Sequence, residues 1–123
     1  MENPSFKFED LKVYQKALDY VDEVYDLTKK FPKDERYGLT SQFKRAAVSI
    51  SLNIAEGAGD TNAQFNRYLQ IAWDSAKECV VCSTIARRQK IITEKEDIDM
   101  RVKLAELSKM IVSLQKYLKT KLK

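Results

Sequence analysis

The chain contains no histidine. Without an imidazole there is no Ser-His-Asp or Cys-His nucleophile, no histidine-ligated zinc and no histidine general base, so most familiar enzyme constellations cannot be assembled. Glycine and proline are almost as scarce, at 3 and 2 residues in 123, which disfavours a turn-rich β architecture. No stretch approaches roughly 18 uncharged apolar residues, and the opening MENPSFKFED lacks an apolar segment behind a basic start. Neither a membrane span nor an export signal is therefore expected, and a cytoplasmic location is. The only cysteines, Cys79 and Cys82, form CVVC inside a helical segment. A redox pair normally sits at a helix N-terminus, and zinc would need two more soft or imidazole ligands, so both read as packing residues. No metal, cofactor, small-molecule substrate or catalytic residue is expected.

What the sequence does contain is 44% hydrophobic and 33% charged residues, enough for one core and one domain spanning 1–123. The pattern is all-α. Four helices are expected, at approximately 9–31, 39–57, 61–90 and 94–121, joined by short polar breaks in an up-down-up-down antiparallel four-helix bundle. In the first, Leu11, Tyr14, Leu18, Val21 and Tyr25 form one apolar stripe. The arc is about 200° wide, which leaves Val13, Tyr20 and Leu27 on its far edge as candidates for cover by something outside the bundle. Phe31-Pro32 ends this helix. Thr61 with Gln64, and Thr93 with Glu96, are capping boxes opening the third and fourth helices. The fourth then carries Met100, Leu104, Leu107, Ile111, Leu114 and Leu118, the seam of a shallow helix crossing.

The second helix is short of charge, with only Lys44, Arg45 and Glu56 between positions 39 and 59. Its core stripe is Leu39, Phe43, Ala46, Ala47, Ile50 and Ile54, and a second apolar stripe, Val48, Leu52 and Ala55, lies well round the cylinder. A helix apolar on two sides is buried on two sides, and only one can face its own core. A homo-oligomer follows, with Val48, Leu52 and Ala55 as its contact residues. Between the stripes run Gln42, Arg45, Ser49, Asn53 and Glu56. Antiparallel packing of the second and third helices lets Arg45 reach toward Glu78 and Glu56 toward Arg67, so ion pairs are expected there.

The run Gln42-x-x-Arg45-Ala46-Ala47-x-Ser49-Ile50-x-x-Asn53-Ile54-Ala55-Glu56-Gly57 is preceded by Phe8-Glu9-Asp10-Leu11, Phe31-Pro32 and Gly38-Leu39. It is followed by Leu69-x-x-Ala72-x-x-Ser75-x-x-Glu78. Together these resemble the four-helix bundle proteins encoded within intervening sequences of bacterial 23S rRNA genes, over nearly the whole chain. Members often have proline where Ser51 stands and serine where Leu52 stands, so here the helix is expected to be straighter and its outer face more apolar. The resemblance implies a bundle assembling into rings, pentamers foremost, similar to the accessory variability protein of diversity-generating retroelements. That relative binds a reverse transcriptase and its structured RNA. The resemblance assigns no catalytic residue, and Gln42, Arg45, Asn53, Glu56 and Glu78 read as a structural polar motif.

Net charge is +4, yet the segment from Leu107 onward holds Lys109, Lys116, Lys119, Lys121 and Lys123 with no acid, so the remainder sums to −1. The bundle topology adds Lys7, Lys12 and Arg67 to the same pole. Lysines in a last turn also complement the helix dipole, as Glu94, Glu96, Asp97 and Asp99 do at the start of that helix. With no stacked-aromatic platform, phosphate loop or RNP-like motif in view, binding of structured RNA or other nucleic acid would be phosphate-dominated and salt-sensitive. Two partner readings stand side by side: nucleic acid or a protein that handles it, and a scaffold that binds only other proteins.

Overall fold

Helix boundaries fall where the backbone can no longer satisfy the helical pattern locally. The computed structural model describes residues 3–122. Four helices, α1 (Lys12–Thr28), α2 (Leu39–Gly57), α3 (Asn62–Arg88) and α4 (Glu94–Thr120), are accompanied by 3-10 turns at Lys7–Asp10 and Lys33–Glu35, with no strand among the described residues. α1 is shorter at both ends than its apolar pattern predicts. Before it, the Glu9 carboxylate accepts the Phe6 N–H at 2.7 Å and holds a separate 3-10 turn. After it, the Thr28 hydroxyl donates to the Val24 carbonyl at 2.8 Å, a back-bond that competes with further helix.

The other ends have equally local causes. The Thr61 hydroxyl accepts from Gln64 N–H and the Thr93 hydroxyl from Glu96 N–H, while the Glu96 carboxylate accepts from Thr93 N–H. α3 closes two residues earlier than its pattern predicts. Lys90 adopts φ 61°, the Lys90 N–H donates to the Arg87 carbonyl, and the Ile91 N–H donates to the Ala86 carbonyl. This is a Schellman closure with lysine where glycine usually stands.

Each helix packs on its two neighbours around the bundle, α1 on α2, α2 on α3, α3 on α4 and α4 on α1. Cross-ties give the antiparallel sense: Gln70 meets Gln115 toward one pole, and Ser83 meets Asp97 toward the other. The α1–α4 seam is tied by Lys16–Glu106 at 3.5 Å, Glu23–Lys103 at 2.8 Å, and Lys30–Glu96. Lys16 and Glu23 lie seven residues apart on one edge of α1, and Lys30, two residues past its end, continues the line.

α1 is turned relative to its expected orientation, with that ladder along one border of its buried face. Val13, Ala17, Tyr20 and Val24 face the core, while Leu18 and Tyr25 are exposed. Val13 (5% exposed) and Tyr20 (2%) are therefore covered by the chain's own helices, and their assignment to an outer contact surface is corrected. An apolar arc so wide does not by itself choose a core-facing side, and the charges bordering α4 mark the edge of the face that is buried. Leu27 is partly buried against the core.

Cys79 and Cys82 are free and buried. Burial, with the Glu78 charge adding to it, pushes the Cys82 thiol up to about 11, and burial raises Cys79 as well. Both are protonated packing residues at neutral pH, not nucleophiles. No helix among the described residues is long and apolar enough to cross a membrane.

Candidate nucleic-acid interface

The pole formed by the end of α4, the start of α1 and the α2–α3 connection gathers the basic residues. Gln115, buried in α4, donates through Nε2 to Gln70 Oε1 at 3.1 Å, fixing the last turns of α4 beside the first turns of α3. The Lys16–Glu106 tie sets the start of α1 against the middle of α4, so the chain before α1 lies level with the last turns of α4. Lys116, Lys119 and Lys121 are exposed there, as are Lys7 in the first 3-10 turn, Lys12 at the start of α1 and Arg67 on α3. Lys123 lies outside the described residues.

Among the described residues, none of these six cations lies within ion-pair distance of a carboxylate, whereas the ion pairs run along the flanks and toward the opposite pole. Two acids near the basic pole are occupied by backbone donors. Glu9 accepts from Phe6 N–H, and Asp60 accepts from Thr61 N–H at 2.7 Å. Unpaired cations concentrated on one surface create a field that attracts polyanions.

The pole also holds aromatic rings that the composition did not single out. Phe6 stacks on Phe8 with centroids 6.2 Å apart and 22° between planes, and Tyr117 is exposed with the Lys121 ammonium 5.2 Å above its ring. The absence of a stacked-aromatic platform is thus corrected. The signal was the Phe6-x-Phe8 spacing: a helical continuation would splay these rings apart, whereas Phe6 stays extended as the cap of the Lys7–Asp10 turn and its ring meets Phe8.

On α2, Leu52 is 63% exposed while Val48 and Ala55 are partly covered. This exposed leucine, on a helix poor in charge, is an apolar surface that contacts within the protomer leave uncovered. The polar motif resolves differently from its expected ion pairs. Gln42, Arg45, Glu56 and Glu78 are exposed, and neither Arg45–Glu78 nor Glu56–Arg67 forms an ion pair among the described residues. Short polar groups join α2 to α3 instead: Ser49 and Ser75 hydroxyls meet at 2.8 Å, and Asn53 Nδ2 donates to the Ser49 carbonyl and hydroxyl at 2.8 and 3.1 Å. A serine pair fits where helices approach closely, and an arginine–glutamate pair stands off at the rim. Gln42 and Glu78 come together only as walls of a shallow α2–α3 groove of about 400 Å³.

At Gly57 the two helices leave no room for a side chain. A Cβ there would lie 2.8 Å from Tyr68 Cβ and 2.9 Å from Phe65 Cδ1. The glycine closing the Asn53-Ile54-Ala55-Glu56-Gly57 run is therefore a packing requirement between α2 and α3.

Comparison with known proteins agrees with this architecture. The chain is similar, at 24% identity and a TM-score of 0.77, to the crystal structure of a protein of unknown function from the S23 ribosomal protein family of Bacteroides thetaiotaomicron, with 85% of this chain and 98% of that one covered. No curated protein matches the sequence. The 23S rRNA-intervening sequence protein family matches residues 9–113. That match takes in all of α1, α2 and α3 and most of α4, and the chain belongs to this family.

Proposed function

We propose that this protein is a non-enzymatic, cytoplasmic accessory protein that assembles with copies of itself into a ring, a pentamer foremost, and binds structured RNA or other nucleic acid through its basic pole. The observation that carries the reading is the set of six exposed cations without carboxylate partners among the described residues, Lys7, Lys12, Arg67, Lys116, Lys119 and Lys121, gathered at one end of the bundle. Repetition around a ring multiplies that field, and phosphate contacts need no shaped pocket. The family's name refers to sequences intervening in 23S rRNA, which supports a reading that involves RNA. The absence of histidine and the protonated state of both buried thiols favour a binding role over a catalytic one.

A protein-binding scaffold is the second reading, favoured by the exposed Ile98 and Val102 on α4. The two separate on charge. Light-scattering mass is measured during size exclusion, with and without a structured RNA, at low and moderate salt. A ring-sized particle that carries RNA until salt releases it is expected. Replacing Lys116, Lys119, Lys121 and Lys123 by Gln should weaken retention and flatten the salt dependence by about 0.7–0.9 in log-log slope for each phosphate contact removed, with mass unchanged. RNA retention that is indifferent to both salt and these lysines overturns the basic-pole reading and leaves the scaffold.

A further inference from the structure

The basic pole carries an apolar recess that neither the bundle core nor the ion-pair pattern explains. The Lys7–Asp10 turn and the α2–α3 connection enclose a groove of about 420 Å³, walled by Phe6, Phe8, Leu11, Ala58 and Phe65, with Lys7 and Gly59 completing it. A Cβ on Gly59 would have nothing within 4 Å, so this side of the groove is open. Phe6 stands 63% exposed, which is unusual for a phenylalanine unless its face has a use.

The ring is presented, not loose. Its backbone N–H is held by Glu9, its inner face stacks on Phe8, and Phe8 is braced edge-on by Tyr14 at 5.2 Å and 86°. That leaves an outer aromatic face beside Lys7, with the lysines ending α4 at the same pole. An aromatic face flanked by unpaired cations is the combination that holds unpaired nucleobases, since every base has a π-face and the flanking phosphates meet the cations. The volume falls within the roughly 300–1,000 Å³ of small-ligand sites, far too little for a duplex. A second copy docking symmetrically on this groove would bring an identical basic pole against it.

We infer that this groove takes an unpaired nucleobase of a single-stranded nucleic-acid segment, stacked on Phe6, with the adjoining phosphates on Lys7 and the lysines at the end of α4. The inference rests on the basic-pole reading above and narrows its ligand to strands with unpaired bases.

The test is fluorescence anisotropy with labelled oligo(U) and oligo(dT) of about 12 nucleotides, a length within OB-fold site sizes, and a duplex of the same length, over a range of salt. Both single strands should bind at least about tenfold more tightly than the duplex. Phe6→Ala should weaken single-strand binding by about tenfold, within the range measured for loss of one stacked base, while leaving the salt slope unchanged. Phe6→Trp should retain binding, and its added indole emission should quench as oligonucleotide is titrated. Phe6→Ala binding like the parent, or equal affinity for duplex and single strand, overturns the groove while lysine-dependent binding still supports the basic pole. A changed oligomer mass for Phe6→Ala assigns the groove to another copy and overturns base binding. Failure of every probe to bind at low salt overturns both readings.

Discussion

The Ser83 hydroxyl donates to Asp97 Oδ1 at 2.6 Å, linking α3 to α4 where both side chains are shut away from solvent. Arg101 Nε reaches both carboxylate oxygens at 3.1 Å, Arg87 Nε reaches Oδ2 at 3.0 Å, and Arg101 also donates to the Thr84 hydroxyl. Burial alone would push the Asp97 carboxyl up. The hydrogen bonds from Ser83 and Arg101, the Arg101 charge and the Arg87 hydrogen bond outweigh it and hold the group below the usual carboxylate range. A buried charge is tolerable only when paired in this way.

Asp97→Asn should therefore destabilise the fold by about 2–3 kcal/mol, less than the ~3–5 of a fully enclosed pair, because both arginines keep partial access to water. Ser83→Ala should cost about 1 kcal/mol. The pH dependence has a definite sign. A carboxyl whose folded pKa lies below its unfolded value, about 3.9, stabilises fully above that value, and the contribution is lost as pH falls through the folded one. Glu96, held down by the Lys30 and Thr93 hydrogen bonds, acts in the same sense. Urea unfolding at a series of pH values should show the gap between parent and Asp97→Asn closing below about pH 4. A gap independent of pH would mean the carboxylate is not held by these donors.

Gly57 and Gly59 should fail for different reasons. Gly57→Ala forces α2 and α3 apart at Phe65 and Tyr68, and overpacking of this kind costs about 1–3 kcal/mol. Gly59 has φ 86° and open space around it, so Gly59→Ala should cost only the left-handed backbone penalty of about 1 kcal/mol. Combining Gly57→Ala with Phe65→Leu should recover part of the first loss, and combining Gly59→Ala with Phe65→Leu should recover none of the second. Thermal unfolding of the four variants decides the matter, and a Gly57→Ala loss that Phe65→Leu does not reduce would refute the packing account of Gly57.

Periodicity and capping chemistry made much of the bundle legible. Of the expected α4 seam, Met100, Leu104, Leu107, Ile111 and Leu118 are buried and Leu114 is partly buried, and on α3 the helically spaced Phe65, Leu69, Ala72, Ala76, Cys79, Ser83 and Ala86 are buried as well. α1 was not legible from its apolar residues because they cover more than one face. The Lys16, Glu23 and Lys30 edge, matched by Glu106, Lys103 and Glu96 across the seam, held the missing information in its charges. The candidate site divides similarly. The lysines were visible as an acid-free segment, but the groove was not, since it forms only when a 3-10 turn folds Phe6 and Phe8 against the α2–α3 connection. Asp97 looked like one of several acids complementing a helix start, and only the α3–α4 crossing singles it out as the buried one.

Leu52 and Tyr20 separate assembly from folding. Both belong to apolar stripes that point away from the expected core, yet Leu52 is mostly exposed and Tyr20 is buried. Leu52→Glu places a charge where another chain would have to desolvate it, while in the isolated protomer it stays in water and should change stability by no more than about 0.5 kcal/mol. The expected result is a fall in light-scattering mass with helicity retained. Tyr20→Ala should do the reverse, costing about 3–5 kcal/mol of protomer stability by emptying a core site. Tyr20→Phe isolates the hydroxyl, which has no hydrogen-bond partner among the described residues, so its removal should be neutral or stabilising by up to about 1 kcal/mol. If Leu52→Glu leaves the mass of an oligomer unchanged, α2 is not the contact surface; if Tyr20→Phe is strongly destabilising, the α1 orientation described above is wrong.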